Sequence, residues 1–581
     1  MNATRSPEDS GGLIFNPKGS IADNIMTLAA WMMRRPKRDE VRKTMDRRVL
    51  RRRFCAAALG LALALPPAVP VQAAVPSYLK AVTYVSDAWV TNFWNTESDH
   101  MEEELAQIAA DGFNCIVLAI PWREFQPTVM PASYNSYAMD KLDKIMEAAN
   151  RHGLAVEFRV GYTWDYYADE NAPHRFKRLL QEPEMQAAWL DYVGQLYEAG
   201  SAHPNFHGGF LTWEDFWNYL ESAGDFGTGG NSRREAGECG YQDYLREHYT
   251  IEQLNEIYQP ETAFEDYSDV YIPERRNHAF RLFYEFYDAF LNKLLAESQE
   301  RFPNLSMEVR LDVDPVENKE GTETMGVPHY GTFSCGNSGY TSLMYSVSMG
   351  RSFGQMISAS DAIHTMNEQL SIVKDHNGGK PIFIDQLLYM DVTEGFENNA
   401  RLLESHRGLF LMSLPTTLRT YTNGYAVWTY RNYTNNPVYN CQFALGSRGW
   451  ETKNASTQEH NGSMQMHLQP GGTIIQKIGH RIGGRTTHDN FVRFTAESSQ
   501  PVTLTVSLGK ASQQVQVNGA GSFELNLGPV NFYDVTFQAD GPMYLDNIQV
   551  YNFIQDGQLR DVDGSELSCM GAMRILNGAM N

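Results

Sequence analysis

Basic residues are in short supply in this sequence: 48 Lys and Arg stand against 70 Asp and Glu, a net charge of −22 over 581 residues. They are also unevenly placed, since residues 1–53 hold 13 of them against 6 acidic residues, leaving 35 against 64 in the remainder. Neutralising phosphates takes a basic surface, so the acidic body argues against a nucleic-acid partner. Cysteine is scarce as well. Cys55 falls in the N-terminal segment, and the other five (Cys115, Cys239, Cys335, Cys441 and Cys569) are an odd number without zinc-like spacing. That excludes a disulfide scaffold and offers no metal site. No nucleophile elbow, His-rich ligand set or Gly-rich phosphate loop is present. The apolar run Phe54 to Leu65 is short for a bilayer span and breaks at Pro66-Pro67.

That run follows five arginines in "MDRRVLRRRFCAAALGLALALPPAVPVQAAVPS" and precedes Val71-Gln72-Ala73, a small-residue cleavage signature. Residues 45–73 are therefore expected to be a signal peptide cut after Ala73, placing the protein outside the cell or in a periplasm with no stable membrane span after cleavage. Arg47-Arg48 leaves twin-arginine export open. Residues 1–44 are expected to be an extension or an over-long start.

From Leu79 onward, apolar runs alternate with amphipathic segments. "AVTYVSD" leads into the helix "DHMEEELAQIAADG", stopped by Gly112. "FNCIVLAIPW" leads into "MDKLDKIMEAANRHG", with Leu142, Ile145, Met146 and Ala149 at helical spacing and Gly153 as its stop. The strands lack strict alternation, which implies burial on both faces, as in a parallel sheet covered by helices. "LAVEFRVGY", "HGGFLTWED", "LSMEVRLDVD", "TSLMYSVSM", "KPIFIDQ" and "GYAVWTY" bring the count to eight, the number that closes a (β/α)8 TIM barrel. The fold class is thus α/β, a barrel over 74–436. Residues 225–272 read as an insertion after strand four, beginning with a Gly-rich loop. Beyond the barrel, 437–555 carries short alternating strands punctuated by Gly, Asn and Pro, the pattern of an all-β sandwich. Residues 556–581 are weakly patterned and read as a tail.

Reactive groups in such a barrel sit at the C-terminal ends of the strands. Those ends here are rich in carboxylates and rings: Trp122-Arg123; Arg159, Tyr162, Trp164 and Asp165; Trp213-Glu214-Asp215; Asp312 and Asp314; Asp385-Gln386; and Trp428 to Arg431. Cleavage of a glycosidic bond needs one carboxylic acid to protonate the leaving oxygen and a second carboxylate to attack or activate water, with flat rings to stack on sugar faces. Asp385 and Gln386 are neighbours on a strand. They cannot both face the barrel centre unless a bulge re-aims one of them.

The chain resembles the clan A glycoside hydrolases, retaining (β/α)8 enzymes with an acid/base Glu ending strand four and a nucleophilic Glu ending strand seven. "GFNCIVLAIPW", "KPIFIDQ" and "GYAVWTYRNYTNN" are similar to their second, seventh and eighth strands, and "YLREHYTIEQLNEIYQ" to a segment of the family 42 group. The resemblance makes Glu214 the acid/base and puts Gln386 where the nucleophile belongs. An amide cannot form the glycosyl ester. Asp385 is then the candidate second carboxylate, with Asp312 and Asp391 in reserve. Trp122, Arg123, Trp213, Arg310, Tyr345, Gln386 and Trp428 are expected to line a sugar site. "NCQFALGSRGW" and "MYLDNIQVYN" resemble the opening and closing strands of family 4 and 9 type carbohydrate-binding jelly rolls, with Trp450 as a core residue. Such modules often hold a structural calcium ion, for which the sequence offers no clear ligand set; catalysis implies no cofactor. The expected partner is a poly- or oligosaccharide. Two other readings stay open: a non-catalytic sugar-binding protein on a degenerate barrel, and a polysaccharide lyase or transglycosylase.

Overall fold

Each of the eight apolar runs forms a strand, because each supplies side chains to two hydrophobic layers at once. In the computed structural model, which describes residues 76–97, 100–163, 172–216, 232–274, 276–309, 314–317, 324–327, 335–349, 351–390, 399–478 and 488–581, these strands are β1 (Leu79–Thr83), β2 (Cys115–Pro121), β3 (Ala155–Tyr162), β4 (Phe206–Leu211), β5 (Ser306–Val309), β6 (Thr341–Ser346), β7 (Ile382–Leu388) and β8 (Thr422–Val427). They pair in parallel, and β1 closes the ring by pairing with both β2 and β8. Leu79, Ala81, Cys115, Val117, Ala155, Phe210, Tyr340, Phe383 and Ala426 form the interior cluster, and the alternate residues pack outward under the helices. The expected signal and the segment before it lie outside the described residues. No helix among the described residues is long and apolar enough to cross a membrane.

The helices α1 (Met101–Ala110), α2 (Ser136–Arg151), α3 (Pro183–Ser201), α4 (Arg281–Gln299) and α5 (Ala359–His376) follow β1, β2, β3, β4 and β6. Gly112 and Gly153, both at positive φ, end the first two. The insertion after β4 is more helical than its composition suggests. Ser232–Glu238 is a helix rather than part of a loop, and Thr250 caps Ile251–Tyr258 with a reciprocal Gln253 bond.

The barrel interior is polar at the level of Glu157. This fully buried carboxylate accepts from the Tyr340 hydroxyl and lies 2.5 Å from His207 Nδ1. Burial works to lower the His207 pKa, and the Glu157 charge outweighs it, leaving the imidazole above its usual value.

After β8 the chain enters an antiparallel domain. Its strands are β9 (Tyr433–Asn435), β10 (Glu451–His460), β11 (Ser463–Lys477), β12 (Asn490–Leu508), β13 (Ala511–Gly528), β14 (Asp534–Ala539) and β15 (Met543–Ile554), in the order β9-β15-β11-β14-β12-β13, with β10 on β11 and β12 also meeting β15. The sheet thus starts slightly before the expected boundary at 436/437, since Tyr433 pairs with Ile554. Trp450 is buried beside Phe443 in this domain's core, as expected of it, and donates to the Asn440 carbonyl.

Residues 556–581 differ from the expected tail. They return to the barrel and end in helix α6 (Met570–Ala579), which buries Met570, Met573 and Leu576. Arg560 and Arg574 both pair with the buried Asp111, at 2.9 and 2.6 Å. The helical period is present but short, and Gly571 and Gly578 dilute it.

Because the His207 pKa is raised on folding, its contribution is fully present below the unfolded value of about 6.5 and is lost as pH rises through the folded value. The melting temperature is expected to fall from pH 6 to pH 9 in the wild type, and His207→Gln to flatten that slope. Identical slopes in the two proteins would show that the pair is not coupled to folding.

Candidate active site

The C-terminal mouth of the barrel is organised around one buried cation. Arg159 projects from β3, is 2% exposed, and donates through Nε to Asp215 (2.8 Å) and through Nη2 to Glu214 (3.0 Å). Burial alone would lower its pKa. The Asp215 and Glu214 charges reverse this and hold it well above the ordinary value. Asp215 also accepts from the Thr212 hydroxyl and from the Thr163 backbone N–H. Burial raises its pKa, with Arg159 opposing.

Glu214 is the more accessible of the two, its side chain 22% exposed where that of Asp215 is fully buried. It stands on the helical turn that follows β4. Its second polar neighbour is Gln386, whose Nε2 donates to Oε2 at 3.1 Å, and its backbone N–H donates to Glu308 at 3.4 Å. The charged Arg159 and the Gln386 amide therefore fix one carboxylate oxygen from two sides.

Strand β7 carries a bulge near its end. Leu343 of β6 pairs with Ile384 and Met344 with Gln386, so Asp385 is the extra residue, and the register against β8 slips at the same place. Alternation keeps Asp385 on the side of the interior residue Phe383, and its charge helps raise the Tyr340 pKa, after burial and Glu157. The bulge turns Gln386 toward Glu214. Asp385 is 1% exposed and Gln386 5%.

Trp428 follows β8 at the same mouth, with Arg159 Cζ 5.9 Å from its ring centroid. Tyr162 lies 5.0 Å from the same guanidinium, Trp89 packs on Tyr162, and Tyr433 packs on Trp89. These buried rings form a wall on the Arg159 side of the mouth.

Four expected lining residues are placed elsewhere. Trp122 is fully buried against Trp189 and Tyr192 of α3. Arg123 stacks on Tyr439 near the antiparallel domain. Trp213 is buried with its Nε1 donating to Asp288 of α4, and Tyr345 donates to the Ala362 carbonyl of α5. Their strand-end positions were legible; which side of the strand they leave was not. Arg310, Asp312 and Asp391, with Trp164 and Asp165, lie outside the described residues. Glu308, missed in the sequence, sits in "SMEV", where Met307 and Val309 face the helices and put it on the inner side. That two-residue period was the available signal.

No family model matches the chain, and no curated protein matches it. Among solved structures, the chain is similar to a GH5_18 protein from Streptomyces cattleya in complex with Manβ1-4GlcNAc, at 15% identity and a TM-score of 0.38 over 61% of this chain and 72% of that one. An exo-β-1,4-mannosidase from Opitutaceae bacterium strain TAV5 is similar at 12% identity and TM-score 0.36, over 61% and 53%. A CBM61 structure in complex with β-1,4-galactotriose matches at 12% identity and TM-score 0.17, over 20% and 98%. At such values the functional reading rests on the site itself.

Removing Arg159 leaves Asp215 as an uncompensated buried charge. Arg159→Met is expected to cost about 3–5 kcal/mol in urea unfolding. A loss below about 1 kcal/mol would mean that the guanidinium does not hold the mouth together.

Proposed function

We propose that this chain is a glycoside hydrolase acting on a poly- or oligosaccharide, with Glu214 as general acid/base. The observation that carries this reading is the setting of Glu214: a partly accessible carboxylate just after β4, gripped by Gln386 and by Arg159, whose guanidinium also faces the Trp428 ring. A proton donor needs access to the glycosidic oxygen and a fixed direction of approach, and an adjacent ring supplies a stacking face for the sugar. Asp385 is the second carboxylate of the proposal. Asp385 lies one residue before Gln386 at the same bulge. The chemistry uses no cofactor.

Export with cleavage after Ala73 belongs to the same proposal, as does a carbohydrate-binding role for the antiparallel domain. A structural calcium ion in that domain, which the resemblance allows, belongs to the same proposal.

A second reading is favoured by one contact. The residue bonded to Glu214 at 3.1 Å is an amide, which cannot act as a nucleophile, so a barrel that binds sugar without cutting it has the same geometry.

Incubation of the chain from Ala74 with a polysaccharide panel, followed by a reducing-end assay, separates the readings. Glu214→Gln and Asp385→Asn are each expected to lower cleavage by about 10²–10⁴-fold. Full activity in Asp385→Asn would move the second role to another strand. Sugar binding by the wild type with no reducing ends released would replace the hydrolase by the binding protein.

A further inference from the structure

The segment that follows the antiparallel domain reaches the back of the aromatic wall. Asp556, two residues after β15 and 3% exposed, accepts two hydrogen bonds on the same oxygen: from Trp428 Nε1 at 3.0 Å and from the Tyr433 hydroxyl at 3.0 Å. Its neighbours fasten the same stretch. The Gly557 N–H donates to Asn432 Oδ1 at 2.7 Å, the Gln558 side-chain amide donates to the Trp428 carbonyl, and the Gln558 N–H donates to the Thr429 carbonyl at 3.0 Å. The approach is close. A Cβ on Gly557 would lie 1.8 Å from the Asn432 nitrogen, so only glycine lets the segment lie against this backbone.

An indole can turn about two side-chain torsions, and its flat face is useful to a sugar only if it is held at one angle. Packing restrains Trp428 on one side, where Arg159 approaches its ring. A hydrogen-bond acceptor fixed on the indole N–H restrains the rotation that packing leaves, because the bond weakens steeply as the N–H turns away. The same oxygen holds Tyr433, which packs on Trp89 at 5.3 Å. Two members of the wall thus hang on one carboxylate, supplied from a part of the chain more than a hundred residues beyond β8.

We propose that Asp556 is a positioning residue that sets the orientation of Trp428, so that the segment after the antiparallel domain helps determine which sugars the barrel mouth accepts. The sugar-selecting part of this rests on the functional reading above; the orientation of the ring does not. Asp556 touches no reacting group and acts through Trp428.

Two measurements on the full chain keep these parts separate. With 5-fluorotryptophan incorporated and the Trp428 resonance assigned by Trp428→Phe, the wild type is expected to give one sharp fluorine line for this ring. Asp556→Asn, and Asp556→Glu, which keeps the carboxyl group but moves it, are expected to shift and broaden that line while the other tryptophans stay unchanged. On the substrate found in the reducing-end assay, Asp556→Asn is expected to raise KM about tenfold with kcat nearly unchanged, and to have little further effect in a Trp428→Phe background. An unshifted, sharp Trp428 line in either folded variant would overturn the proposal, whatever the barrel does to sugars. A shifted line with an unchanged KM would overturn the role in sugar selection alone.

Discussion

A guanidinium buried at the mouth of a barrel cannot stand without carboxylates, and the site follows from that constraint. Removing Arg159 from water costs several kcal/mol unless its charge is matched and its donors are satisfied. Asp215 and Glu214 supply the match from the turn after β4, so their positions and that of Arg159 are set together. Of the two carboxylates, the one fully enclosed is committed to structure. The other keeps an accessible edge at the mouth. Gln386, brought over by a bulge, completes the grip on it.

The barrel was legible because its determinants are repetitive. Eight apolar runs, each followed by polar strand ends, survive any uncertainty about a single strand, and helix stops at Gly112 and Gly153 sit where positive φ is required. The pair Asp385-Gln386 posed a geometric question, since adjacent residues on a strand face opposite ways unless a bulge intervenes, and the structure answers it with a bulge at Asp385. What the sequence did not carry was the side on which a strand-end residue leaves. Trp122, Trp213 and Tyr345 occupy strand ends but pack toward helices, because a ring at that level meets either the mouth or the helical layer, and one residue of register decides. Glu308 was overlooked for the opposite reason, lying inside a run that was read as uniformly buried rather than alternating.

The C-terminal residues show a different limit. Asp556 and Arg560 have no local pattern, and their roles depend on partners more than a hundred residues away: Trp428 for one, Asp111 for the other. Long-range contacts of this kind leave no periodicity in the chain. They nevertheless tie the antiparallel domain, the terminal helix and the wall of the barrel mouth together, so that the ring facing Arg159 is held from behind by residues that follow the second domain.

The hydrolase proposal depends most directly on where a sugar binds. A crystal structure of the chain with Glu214→Gln, soaked with an oligosaccharide from the cleaved polysaccharide, is predicted to show a sugar ring against Trp428 and a glycosidic oxygen within hydrogen-bond distance of residue 214. A ligand seated only on the antiparallel domain, with the mouth between Arg159, Gln386 and Trp428 left empty, would contradict it.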